Sequence, residues 1–192
     1  KLESFRMTGG EPLMSKDTFR VMEWIAETNS PNKDLILGVN SNFVVEQKLM
    51  DRFLDQTRDI LDNKRVKKFE IYTSAEATGA RAEYIRHGLD YQKFISNIHQ
   101  VSEMFGQRED FTLTFMCTYN ALSLSTFTEW LKDLVDVRKR FGLYSIYIDV
   151  SYVRYPDMMD IKILPESFEK YILESIAYME EQETHGLMHE SE

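Results

Sequence analysis

The chain has 192 residues, of which 43% are hydrophobic and 12% aromatic, so it can bury one sizeable core but is too short for two full domains. Its formal net charge of -9 argues against a protein that holds nucleic acid through phosphate contacts, because such binding needs a basic face. The one basic cluster, KRVKK at residues 64–68, is expected to be a solvated corner rather than a binding patch.

Cysteine and hydropathy patterns indicate the cellular setting. The single cysteine, Cys117, excludes an internal disulfide and a cysteine-only metal site within this chain, which favours a reducing, cytoplasmic location. No apolar run approaches the length of a membrane span, and no signal segment opens the chain, so no membrane partner is expected. The chain starts without methionine, close to a predicted strand, and we expect it to be a fragment of a longer protein.

Strand and helix patterns alternate along the whole chain. Short runs of β-branched and aromatic residues are each followed by a longer run of helical period. The predicted strands and their helices are residues 4–8 with 16–28, 35–39 with 46–62, 68–73 with 90–105, 111–117 with 125–141, and 144–150 with 165–180. Such an alternation predicts an α/β fold with a mostly parallel sheet, over one domain at residues 1–182. Residues 183–192 are acidic and are predicted to form a flexible tail.

Polar segments follow the predicted strands. The segments TGGEP, NSN, TSAEATG, CTYN and DVSYVRYP all come at the carboxyl ends of strands. Polar chemistry gathered at one rim is typical of a complete or partial (β/α) barrel, whose ligands lie at that end. A flat doubly wound sheet is the alternative, although no GxGxxG follows any strand.

The first of these segments, within FRMTGGEPLMSKDTF at residues 5–19, pairs two glycines with a carboxylate and a proline. A glycine-rich turn before a helix usually favours phosphate, but Glu11 would repel an anion and Pro12 removes a backbone donor. The glycine carbonyls and the Glu11 carboxylate instead suit an ammonium group. The structural alternative is a strand-to-helix corner with a surface glutamate.

TGGEP in this place resembles the GGEP motif of the radical S-adenosylmethionine superfamily, whose enzymes use a partial (β/α) barrel. In that family the motif follows the second strand and binds the amino group of the cofactor's methionine half. The resemblance covers nearly the whole chain and implies that the first barrel strand is missing. It further implies that the complete enzyme, with a 4Fe-4S cluster and an electron donor, cleaves S-adenosylmethionine to a 5′-deoxyadenosyl radical that abstracts hydrogen from an unknown substrate.

The resemblance assigns roles to named residues. Ser74 matches a polar position at the end of the fourth barrel strand that contacts the cofactor in relatives. Arg86 resembles an arginine that pairs with the cofactor carboxylate, and the alternative is a helix-surface ion pair with Glu83. The residues that match the amino-group motif are Gly9, Gly10, Glu11 and Pro12.

Two further groups of residues are weaker candidates for the same cavity. Asn40 and Asn42 are candidates for contact with ribose hydroxyls or substrate, although asparagine is common at strand ends. Asn120 and the aromatic run from Tyr152 to Tyr155 are candidates for the adenine or substrate side, and rim packing explains that run as well.

One departure from the family is decisive for activity. The CxxxCxxC motif that holds the cluster is not in this sequence, and Cys117 is predicted to be a buried strand residue. Either the motif was lost by truncation or the protein never had a cluster, and in both cases this chain alone is expected to be inactive. A cluster-free α/β-barrel domain that binds a ligand or a partner is the alternative function. No further cysteines mark an auxiliary-cluster domain.

The remaining candidates concern the ends of the chain and acidic residues. If the first strand is missing, residues 4–8 form an exposed edge, which predicts self-association. His185 and His189 have the i, i+4 spacing of a metal pair but lie in a polar tail. Asp149 and Asp157 flank the last strand and are candidates for a general base, or else are solvated loop acids.

Overall fold

The computed structural model describes residues 2–142 and 145–188. Within these residues strands and helices alternate almost throughout. The strands are β1 (Ser4–Met7), β2 (Ile36–Asn40), β3 (Lys68–Ser74), β4 (Phe111–Tyr119) and β5 (Ile146–Tyr152). The α-helices are α1 (Lys16–Glu27), α2 (Gln47–Asp62), α3 (Gly79–Ile85), α4 (Tyr91–Phe105), α5 (Phe127–Phe141) and α6 (Glu169–Thr184).

The predicted α/β alternation with a parallel sheet is confirmed. Helix α3 was not predicted, because it is one short stretch with a single buried residue, Ala82, and so has no apolar period. Helix α6 begins later than expected, since short 3₁₀ turns fill the chain between Asp157 and Phe168. Tyr144, at the start of the last predicted strand, lies outside the described residues. None of the helices in the described ranges is both long and apolar enough to cross a bilayer.

The sheet is wound in one direction. Its strand order is β1-β2-β3-β4-β5, and every neighbouring pair is parallel. Because crossovers between parallel strands are right-handed and each one here steps the same way, the crossover helices lie on one face of the sheet. The core fills the space between that face and the helices, and its fully buried strand residues include Leu37, Val39, Phe69, Ile71 and Leu113.

The opposite face of the sheet is polar. Its rows, read from strand register, are Arg6, Gly38, Glu70 and Thr112, and then Asn40, Tyr72 and Thr114. The Arg6 guanidinium carbon lies 3.4 Å from the centroid of the Tyr72 ring, whose hydroxyl donates to Glu70 at 2.7 Å. Gly38 permits this crossing, because a Cβ at that position would lie 3.2 Å from Arg6 Cγ. Parallel sheets usually have both faces covered by apolar residues, so this face is unusual.

The C-terminal segment is tied to the core as far as Met188. Helix α6 extends into the predicted tail and ends at Thr184. Beyond it, the Leu187 carbonyl accepts a hydrogen bond from Arg138 at 2.9 Å, and Met188 is only 4% exposed. Acidic composition predicted a free tail, but these two contacts pack its described part. Residues 189–192, including His189 of the suggested metal pair, lie outside the described residues.

Candidate functional site

A polar cavity lies at the carboxyl ends of the first three strands. Its volume is about 170 Å³. Five of the residues singled out from the sequence line it, and they come from the turn after β1, the end of β2 and the loop after it, β3, and the end of α3: Gly10, Asn40, Asn42, Ser74 and Arg86. The other lining residues are Ser41 and Tyr72. The cavity is therefore assembled from parts of the chain that are far apart in sequence.

The glycine pair is required by backbone conformation. Gly9 and Gly10 have φ angles of 90° and 56°, and residues other than glycine rarely adopt such positive values. Ideal Cβ atoms at both positions would meet nothing within 4 Å, so the turn is open on its outer side. Pro12 then begins a 3₁₀ turn, Pro12–Met14, in which its missing N–H costs no hydrogen bond. The turn is thus fixed in shape and accessible.

Glu11 connects this turn to the end of β2. Its carboxylate accepts hydrogen bonds from the Leu13 N–H at 3.0 Å, the Ser41 hydroxyl at 2.7 Å and the Asn42 N–H at 2.8 Å. An ionised carboxylate has roughly four acceptor positions, so about one is left for a ligand. The sequence predicted a carboxylate that faces an ammonium group, whereas in the structure most of its capacity holds the two loops together.

Asn40 brings an unsatisfied polar group to the cavity. Among the described residues its buried Oδ1 atom has no hydrogen-bond partner, and its Nδ2 atom lies 4.0 Å from the Met116 sulfur. Buried polar atoms are nearly always paired, because an unpaired one costs about 1–3 kcal/mol. An unpaired amide oxygen beside a polar cavity is therefore a candidate ligand contact.

β3 contributes two side chains of the same face. Tyr72 and Ser74 are two residues apart, so the strand period places both toward the cavity. Burial, followed by the hydrogen bond to Glu70, raises the pKa of the Tyr72 hydroxyl above its usual value. The phenol therefore stays protonated at neutral pH and presents a polar wall without charge.

Arg86 is paired with Glu76, a residue that sequence analysis did not single out. Its Nε and Nη2 atoms donate to Glu76 Oε2 at 3.1 and 2.5 Å. The suggested pair with Glu83 is wrong, because Glu83 instead accepts from the backbone N–H of Tyr91 at 3.1 Å. Helical spacing favoured Glu83, but α3 ends before Arg86, whose side chain points toward the loop after β3. The acid in TSAEATG was the only sequence signal for Glu76.

Asn120 and Tyr152 do not line this cavity. The Asn120 side chain is buried in the turn after β4, where it accepts from the N–H groups of Leu122 and Ser123 and donates to the Thr118 carbonyl. Tyr152 is 51% exposed, and its hydroxyl accepts from Arg154. Local turn chemistry and rim contacts therefore account for both residues.

The other candidates form no second centre. Cys117 is buried, as predicted, and its sulfur lies 2.8 Å from the Ala75 carbonyl. In the ranges 2–142 and 145–188, no cluster of three histidine, cysteine, aspartate or glutamate side chains is arranged to hold a metal ion. Asp149 is an exposed residue of β5, and Asp157 is exposed at the start of a 3₁₀ turn.

Comparisons with known proteins give no function for this chain, so a function has to be inferred from the site. No protein-family model matches the sequence, and no curated protein matches it. The cavity is lined by an open glycine turn, hydroxyls, a guanidinium and the residue that carries the unpaired amide oxygen. The Glu11 carboxylate does not line it but bonds to two residues that do, Ser41 and Asn42. Such a set suits a small polar ligand that carries both a positive and a negative group.

Proposed function

We propose that this chain is the greater part of the cofactor-binding domain of a radical S-adenosylmethionine enzyme. The proposal begins with TGGEP, which follows β1 at the carboxyl edge of the sheet. It is supported by the sequential order of parallel strands, which suits a partial (β/α) barrel better than a doubly wound sheet. The polar face of the sheet would be the interior of that barrel. A reducing, cytoplasmic setting belongs to the same proposal.

The cavity carries the proposal, because five candidate residues line it and one of them, Asn40, has an unpaired buried oxygen. The glycine turn and the free acceptor position of Glu11 suit the ammonium group of S-adenosylmethionine, and Arg86 suits its carboxylate. Asn40 and Ser74 provide polar groups for the remainder. A volume of about 170 Å³ is below the usual range of about 300–1,000 Å³ for ligand pockets, so the cavity fits the amino-acid end of the cofactor rather than the whole molecule.

The residues present do not fit the iron–sulfur cluster. Three thiolates are needed, and the only cysteine, Cys117, is buried within β4. The proposal therefore requires cysteines from outside these 192 residues. Cluster and cofactor together would supply a 5′-deoxyadenosyl radical for hydrogen abstraction from a substrate, and an electron donor would be a partner. The contribution of this chain is to bind and orient the cofactor.

The single buried cysteine also favours a second candidate function. A barrel domain without a cluster would bind a ligand or a partner without catalysis. The two functions differ in the native sequence next to this chain. A CxxxCxxC motif there would support the enzyme, and its absence from the whole native protein would support the binding domain.

Calorimetric titration of the chain with S-adenosylmethionine tests the proposed site. We expect saturable binding, weakened about three- to tenfold by Ser74→Ala, which removes a hydroxyl from the cavity. Tyr152→Phe is the matched control, because it removes a hydroxyl outside the cavity and should leave affinity unchanged. Absence of saturable binding by the wild-type chain would contradict the proposal.

A further inference from the structure

Glu76 uses only one edge of the Arg86 guanidinium. Both hydrogen bonds, from Nε and Nη2, go to the same oxygen of Glu76. A guanidinium carries five N–H donors in a planar fork, so three donors remain, and two of them lie on the edge formed by Nη1 and Nη2. Among the described residues this second edge has no hydrogen-bond partner, and Arg86 lines the cavity.

The burial of Glu76 makes the pair a rigid unit. The Glu76 side chain is 3% exposed, while that of Arg86 is 31% exposed. A buried carboxylate that lost its partner would be strongly unfavourable, so Glu76 restricts Arg86 to orientations that keep the pair. Without Glu76, Arg86 would be a long side chain with many rotamers, and ligand binding would have to order it.

We propose that Glu76 is a positioning residue that holds Arg86 so that its second edge binds the carboxylate of the ligand. This inference rests on the proposed function, because it takes the ligand to be S-adenosylmethionine. The edge formed by Nη1 and Nη2 can bind a carboxylate through two parallel hydrogen bonds. Glu76 also balances the charge of Arg86, so the ligand carboxylate is recognised mainly by directed hydrogen bonds rather than by net charge.

Two ligands separate this role from a purely structural one. S-adenosylmethionine has the carboxylate, and 5′-methylthioadenosine has the same adenosine and sulfur but no amino-acid group. We expect Glu76→Ala to weaken binding of S-adenosylmethionine about tenfold or more and to leave binding of 5′-methylthioadenosine nearly unchanged. Glu76→Gln should restore most of the lost affinity, because the amide oxygen still accepts from Arg86.

Glu83→Ala is the matched control for these titrations. It removes a nearby acid, in α3, whose hydrogen bond goes to the Tyr91 backbone and not to Arg86. This variant should leave the ratio of the two affinities unchanged. An equal loss for both ligands in Glu76→Ala, or no loss for either, would overturn the positioning role.

Failure of the proposed function would give a different result, namely that the wild-type chain binds neither nucleoside. The Arg86 edge is then tested with L-methionine, which carries the amino-acid group alone, by following the Arg86 Nε–H signal in nitrogen-15 NMR spectra. A shift of this signal in the wild type and in Glu76→Gln, but not in Glu76→Ala, supports the positioning role. No shift in the wild type overturns it.

Discussion

Replacing Asn40 by valine should stabilise the ligand-free chain and weaken its binding of S-adenosylmethionine. The buried Oδ1 atom has no partner within residues 2–142 and 145–188, and the 4.0 Å contact from Nδ2 to the Met116 sulfur is too long to compensate for it. Valine removes both polar atoms and suits a strand position. The same substitution removes the polar group that we assign to the ligand, so stability and binding should change in opposite directions.

The size of the effect follows from the burial of one unsatisfied group. Removing such a group should raise the free energy of unfolding by about 1–3 kcal/mol. Loss of the weak contact between Nδ2 and the Met116 sulfur offsets part of this gain, so the expected net gain is about 1–2 kcal/mol. With a urea m value of about 2 kcal/mol per molar, the midpoint should rise by about 0.5–1 M. Affinity for S-adenosylmethionine should fall about tenfold or more.

Urea denaturation and calorimetric titration of the same preparations provide the assay. Thr73→Val is the matched control, because Thr73 is 1% exposed and its buried hydroxyl also has no partner in the part of the chain that the structure describes. Its position in β3 alternates with the cavity-lining residues Tyr72 and Ser74, so its side chain points away from the cavity. It should raise the midpoint similarly and leave binding intact. If Thr73→Val raises the midpoint and Asn40→Val does not, the Asn40 amide is satisfied in solution and the argument for a ligand contact there fails.

Three other outcomes are expected. Glu11→Gln should lower the free energy of unfolding by about 1–3 kcal/mol, because an amide cannot accept from all three donors that the carboxylate holds. An unchanged urea midpoint would show that these hydrogen bonds do not contribute to stability. Burial raises the pKa of Asp133, so its stabilising contribution is present at low pH and is lost as the pH rises through the folded-state pKa. Asp133→Asn should therefore have a higher free energy of unfolding than the wild type at pH 7, and this difference should become smaller in acid. Equal urea midpoints of the two proteins at pH 7 would contradict the prediction. Strand β1 pairs only with β2 among the described residues, so its other edge is open and the chain should self-associate through it. Phe5→Lys should reduce this self-association. A strictly monomeric wild type in sedimentation velocity at high concentration would refute the prediction.

Local patterns in the sequence were sufficient to predict the α/β class and the parallel sheet. Strand and helix periods depend on which side chains meet the core, and the core faces of β2, β3 and β4 are read directly from alternating apolar residues. The position of the glycine turn was also predicted, and its positive φ angles are ones that glycine adopts without steric cost. Helix α3 was not predicted, because a short helix with one buried residue produces no helical period of apolar residues in the sequence.

The partners of the polar side chains were decided by tertiary structure. Glu11 and Ser41 are 30 residues apart, and they meet only because β1 and β2 are neighbours in the sheet. Arg86 pairs with Glu76 rather than Glu83, because the end of α3 turns its side chain toward the loop after β3. Helical spacing and strand ends identify which residues are near the carboxyl edge of the sheet. The direction of each side chain there depends on which strands are adjacent and on the path of each loop between strand and helix. No local period in the sequence contains that information.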